Sequence, residues 1–148
     1  MKLIASSLLF ASLALAADVE VYSPHDVEAM SRKLAQKRTQ FASQDLARYK
    51  DHYTMLAYRE ATGSSEVHEH EADFFVVESG EATLVTGGTV VNPHTTKPGE
   101  IRGSSIEGGK RQQVAKGDIV HIPAGVPHQL LIKDGSSFTY FVIKVTGQ

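Results

Sequence analysis

Two hydrophobic periods divide the chain. Between Ser23 and Lys37 apolar residues recur at helical spacing, at Val27, Met30 and Leu34, while Arg32, Lys33, Gln36 and Lys37 fall on the opposite side. Ser23 can cap such a helix, Pro24 fits its first position, and Asp26 stands three after the cap, facing the positive end of the dipole. An amphipathic helix packed on the outside of a larger body is predicted. The stretch 41–50 is more irregular and reads as a possible second short helix.

From Tyr53 the period changes to two. YTMLAYRE, DFFVVE, EATLVTGGTVV, RQQVA, DIVHIP, QLLI and FTYFVIKV follow one another, punctuated by Gly80, Gly87-Gly88, Gly117, Gly125 and Gly135. Short strands separated by glycine turns predict an all-β sandwich or barrel. The segment 92–110, rich in Gly, Pro, Ser and Thr, reads equally as a lid over a site or as a tolerated surface insertion. The last strand is apolar on both faces, with Phe138, Tyr140 and Val142 on one and Phe141, Ile143 and Val145 on the other. Only one face can line a barrel. The other needs cover from the helix or from a second subunit, which a homodimer would supply.

The first 17 residues read differently. Lys2 precedes an apolar run from Leu3 to Leu13, and Ala14-Leu15-Ala16 offers the small-x-small pattern of a signal-peptidase site. The run is too short to span roughly 30 Å of hydrocarbon. A cleaved signal over 1–17 is expected, with an exported protein in the periplasm or outside the cell and no membrane association after cleavage. The mature chain divides into an N-terminal helical segment, 18–52, and a barrel, 53–148. Having no cysteine, the exported chain gains no stability from disulfides. At 41% hydrophobic and 22% charged residues, with a net charge of −2 and no basic run, it is globular and poorly suited to nucleic acid.

Candidate chemistry lies in two stretches. In VHEHEADFFVVESG, His68 and His70 are two apart, so on a strand both imidazoles project from one face. Paired neutral imidazoles are natural ligands for a first-row transition metal, and Glu69, Glu71 and Asp73 lie close enough in sequence to complete or orient the set. In GDIVHIPAGVPH, Pro123 and Gly125 set a tight turn that would aim His128 across the barrel. His121, on the strand before that turn, is a further ligand, a proton shuttle, or a histidine hydrogen-bonded within the wall. His94 lies in the 92–110 segment, while His25 and His52 are outside both stretches.

These two stretches resemble the motifs of the cupin family. The second family motif is Gly, five residues, Pro, one residue, Gly, two residues, His, three residues, Asn; Gly117, Pro123, Gly125 and His128 match it, and Ile132 stands in place of Asn. The first is Gly, five residues, His-x-His, three or four residues, Glu, six residues, Gly. His68, His70 and Gly80 match, Gly63 is one residue too close, and Asp73 stands for the Glu with only two residues between it and His70.

The resemblance implies an all-β cupin fold, a double-stranded β-helix or jelly-roll barrel, with the N-terminal helical segment packed on it. It also implies one divalent transition metal (Mn, Fe, Ni, Cu or Zn) on His68, His70 and His128. Asp73 is either a fourth ligand or catalytic base, or an acid behind the ligands, and His121 is the other candidate catalytic group. Leu130 and Ile132 share the face of His128, giving an apolar wall for a small-molecule ligand. Such a site suits an oxygenase-like, decarboxylase or isomerase enzyme acting on a small oxygen-bearing molecule. It also suits a non-catalytic module that binds a small molecule or the metal.

Overall fold

The computed structural model describes residues 19–148, so the signal segment expected over 1–17 lies outside the described residues. One helix, α1 (Pro24–Ala35), precedes twelve strands. These are β1 (Phe41–Arg48), β2 (His52–Arg59), β3 (Ser65–His68), β4 (Glu71–Thr86), β5 (Thr89–Val91), β6 (His94–Lys97), β7 (Glu100–Gly103), β8 (Ser105–Glu107), β9 (Lys110–Ala115), β10 (Ile119–Ile122), β11 (His128–Leu131) and β12 (Phe138–Thr146).

Every strand pairing is antiparallel, and the long β4 joins two curled faces. Its first half lies between β12 and β10; its second half lies between β9 and β11. The faces run β1-β2-β12-β4-β10 and β9-β4-β11-β3-β7-β6. Gly80 stands where β4 passes from one face to the other. Its φ of +78° is unfavourable for a side chain, and a Cβ there would lie 2.0 Å from the Ser137 carbonyl oxygen. Between the faces lies the core, which includes Ala57, Phe75, Leu84, Ile122, Ile132 and Phe138.

Helix α1 begins as its sequence dictates. Ser23 and Asp26 form a reciprocal capping box with Pro24 at the first turn. Leu34 is buried against Ala42, Leu56 and Tyr58, with Val27, Met30 and Phe141 packed around them. The Ser31 and Thr139 hydroxyls are hydrogen-bonded at 2.8 Å. The helix therefore covers part of the outer face of β12 within one chain. The stretch 41–50 is neither irregular nor a second short helix: Phe41–Arg48 is β1, paired along β2 with a bulge between Asp45 and Ala47, so the helical segment ends before it. Its polar composition gives little alternation, and pairing with an already formed strand decides its conformation.

The segment 92–110 is structured. It forms β6, β7 and β8, and β7 extends the sheet alongside β3.

Candidate metal centre

Strand β3 carries Glu66 and His68 on one face, two residues apart. Its neighbour β11 places His128 directly opposite Glu66, while β7 places Glu100 opposite His68. Asp73 enters from β4, where it faces Lys144 across β12. The turn before β11 is tied to β3 by the Gly125 N–H, which donates to the His68 carbonyl at 2.8 Å. Gly125 has φ +77°, so glycine suits this turn.

The donor atoms converge. His68 Nε2 lies 3.3 Å from Glu66 Oε2 and 3.8 Å from Asp73 Oδ2; His128 Nε2 lies 3.9 Å and 3.6 Å from the same two oxygens. Two donors each about 2.1 Å from one ion, at 90–130°, stand about 3.0–3.8 Å apart. Among the described residues, Glu66, His68 and His128 form a three-donor grouping, with all ligand atoms within 4.8 Å of one another.

Hydrogen bonding leaves this group rich in lone pairs. His128 Nδ1 is 3.0 Å from the Val126 carbonyl, which can only accept, so Nδ1 carries the proton and Nε2 presents its lone pair to the carboxylates. Burial also pushes the His128 pKa down, against the pull of Glu66 and Asp73, which favours neutral imidazole. His68 Nε2 is buried without a hydrogen-bond partner, 3.3 Å from Glu66 Oε2. Buried acceptors facing one another call for a cation between them. Two imidazoles with carboxylate oxygens suit a divalent transition ion.

The two carboxylates are held by different cations. Glu66 Oε1 accepts from Arg59 Nη2 at 3.3 Å and from Arg102 Nη1, leaving Oε2 towards the histidines. Burial opposes charge on Glu66, yet His68, Arg102, His128 and Arg59 together hold its pKa well below the usual carboxylate range. Asp73 contacts Lys144 Nζ through both oxygens, at 2.6 Å and 2.7 Å. Glu100, paired with Arg102 and Lys97, is held down to about 2 despite burial. A cavity of about 460 Å³ opens beside the donors, lined also by Tyr53, Met55, Phe75, Leu130, Tyr140 and Val142.

Of the residues singled out from sequence, His68, His128 and Asp73 come together here. His70 does not. Strand β3 ends at His68, the chain bends through Glu69 and His70, and the imidazole is exposed beside Gly99. Both imidazoles would share a face only on a strand running through both histidines, and β3 stops at His68. His121 is also elsewhere: it is exposed on β10 and stacked on Phe74 with ring centroids 4.0 Å apart. Ile132 packs in the core.

Glu66 is the residue that the sequence reading passes over. Sliding the first motif back by two residues puts Glu66-Val67-His68 in the His-x-His place. Four residues then lead to Asp73 and six to Gly80, which restores the spacing of the motif's second half, while the leading Gly position falls on Glu60. Lys144 also had a signal, as a charge at the end of the inward series Phe138, Tyr140, Val142. Arg59, Glu100 and Arg102 had none, since their roles depend on pairing between strands distant in sequence.

No family sequence model and no curated protein matches the chain. Solved structures do. An uncharacterized conserved protein with a double-stranded β-helix domain from Klebsiella pneumoniae aligns at TM-score 0.60 and 16% identity, over 88% of this chain and 93% of that one. The cupin domain of Cnp3 from Schizosaccharomyces pombe aligns at TM-score 0.55 and 10% identity, over 73% and 66%. The DMSP lyase DddQ from Ruegeria pomeroyi aligns at TM-score 0.52 and 19% identity over 75% of this chain, which spans about half (49%) of the lyase. At these identities the likeness establishes architecture alone: the chain has the double-stranded β-helix fold of cupins, with helix α1 ahead of the strands among the described residues.

Proposed function

We propose that Glu66, His68 and His128 hold one divalent transition ion, with Asp73 as a fourth donor, and that the protein is a metal-dependent enzyme acting on a small oxygen-bearing molecule. One observation carries this reading: the ligand atoms of Glu66, His68 and His128 lie within 4.8 Å of one another, Asp73 Oδ2 stands 3.8 Å and 3.6 Å from the two imidazoles, and His68 Nε2 has no hydrogen-bond partner. When bound, such an ion supplies a Lewis acid or an oxygen-activating centre. The chain's own residues set the conditions around it. Arg59 and Arg102 fix Glu66 so that one oxygen faces inward, and the Val126 carbonyl fixes the His128 tautomer. Met55, Phe75 and Val142 limit water beside the donors.

A second reading, a binding module without turnover, has its own support. All three buried carboxylates of the cavity are in ion pairs, which leaves no free carboxylate to serve as a base. Elemental analysis of the purified protein, supplied with Mn, Fe, Ni, Cu or Zn, tests the shared part of both readings. About one ion per chain is expected, lost in the double variant His68→Ala, His128→Ala; equal near-zero contents in both proteins would end the metal reading. Oxygen uptake and product formation across diketones, thiols and phenolics then separate enzyme from binder. Export belongs to the same proposal, and an intact Met1 on protein recovered outside the cytoplasm would refute signal cleavage.

A further inference from the structure

Every carboxylate lining the cavity is already paired with a cation before any ion enters, three acids against four bases. Glu66, Asp73 and Glu100 line it together with Arg59, Lys97, Arg102 and Lys144. Glu66 is paired with Arg59 and Arg102, Asp73 with Lys144, and Glu100 with Arg102 and Lys97. A divalent ion bound among them therefore adds two positive charges that the chain does not compensate. In a partly desolvated cavity such excess charge is costly unless a negative ligand accompanies it.

The register places a recognition surface beside the donors. Across β2, β12 and β4, the row Tyr53–Lys144–Asp73 is polar, and the next inward row is Met55–Val142–Phe75. Two residues along a strand separate these rows by roughly 7 Å. Lys144 has three N–H donors and its ammonium group contacts both oxygens of Asp73, hydrogen-bonding Oδ2, so at least one donor remains for a ligand. Charged and apolar groups are thus a short molecule's length apart.

Resting on the metal reading above, we propose that the ligand of this cavity is a small carboxylate with an apolar remainder. Its carboxylate lies at the ion and Lys144, and its remainder lies against Met55, Val142 and Phe75. The positive excess selects the anion, and the second row selects an unbranched or aromatic body over a sugar-like one.

Calorimetric titration of the zinc-loaded protein with benzoate and with benzamide tests this, since the two probes share a shape and differ in charge. Metal content is measured on the same samples. Benzoate should bind at least about tenfold more tightly than benzamide, and the preference should fall below about threefold once the ion is removed. Lys144→Met should weaken benzoate by about tenfold while Lys144→Arg keeps the preference. Equal affinities, or no binding of either probe, by protein that carries its ion would overturn the carboxylate proposal and leave the metal reading standing. Protein that takes up no ion overturns both. Should Lys144→Met fail to fold, the benzoate-to-benzamide ratio of the unaltered protein decides the matter.

Discussion

Glu66 and Asp73 flank the same two imidazoles, yet the chain prepares them differently. Glu66 has one oxygen held by two arginines and the other left towards His68 and His128. Asp73 has both oxygens on a single lysine, one of them also facing the histidines. The first arrangement fixes a carboxylate while leaving a lone pair available. The second makes ion and ammonium group compete for the same oxygens. Glu66 is thus a built donor, and Asp73 is a donor whose availability depends on Lys144.

The largest effect should come from removing the built donor. Glu66→Ala strips the carboxylate from Arg59 and Arg102, of which Arg59 is almost fully buried. Breaking a buried ion pair by deleting one partner costs about 3–5 kcal/mol. Chemical denaturation should register a loss of that size, and elemental analysis should find the ion gone. Asp73→Asn, in contrast, should weaken the ion by only about tenfold to 100-fold, the range for perturbing a supporting group. If Asp73→Asn proved as damaging as Glu66→Ala, the proposed asymmetry would be wrong.

Lys144→Met should act in opposite directions on two measurements. Without metal, Asp73 is left as an uncompensated buried carboxylate, and stability should drop by about 3 kcal/mol. With metal, both Asp73 oxygens become available, so the ion should bind more tightly, by about tenfold. Competition with a chelator reads the second effect directly. A weaker ion in Lys144→Met would mean that Lys144 supports the metal geometry instead of opposing it.

Acid should reveal the imidazole side of the same cluster. Burial lowers the His128 pKa below its ordinary 6.5, so in the metal-free protein the unfolded chain binds this proton first. Stability should therefore be full above pH 6.5 and fall as pH drops from there towards the folded-state value. Replacing His128 by Gln should flatten that part of the profile. An unchanged slope in the variant would show that His128 is not the group responsible.

How much of this was legible beforehand follows the distance over which each feature is encoded. The barrel was readable because alternation and glycine turns are local, and His128 because Pro123 and Gly125 fix its turn within a few residues. The helix on the outer face was readable from its cap and its Val27, Met30, Leu34 stripe. β1 was not, because its sequence is weakly patterned and pairing with β2 decides it. Nor were Arg59 and Arg102 as partners of Glu66, since only the pairing of β3 with β7 and the curl of β2 bring them together. The position of His70 was not legible because β3 ends at His68 and the chain bends at Glu69, and nothing in H-x-H marks where a strand stops.

That bend supports the smallest predicted effect. His70 is exposed and separated from the donors by the change of direction between β3 and β4. Its carbonyl accepts from the Gln148 N–H at 3.2 Å, a backbone bond that any side chain at this position permits. His70→Ala should leave metal content at the unaltered level and change stability by no more than about 0.5 kcal/mol, the range of surface substitutions. Set beside the loss expected from Glu66→Ala, this is the sharpest test of where the motif lies. Loss of the ion in His70→Ala, with Glu66→Ala retaining it, would require β3 to continue through His70 and turn Glu66 away from the site. Retention in His70→Ala and loss in Glu66→Ala would place the first ligand pair at Glu66 and His68, two residues earlier than the histidine pair suggests.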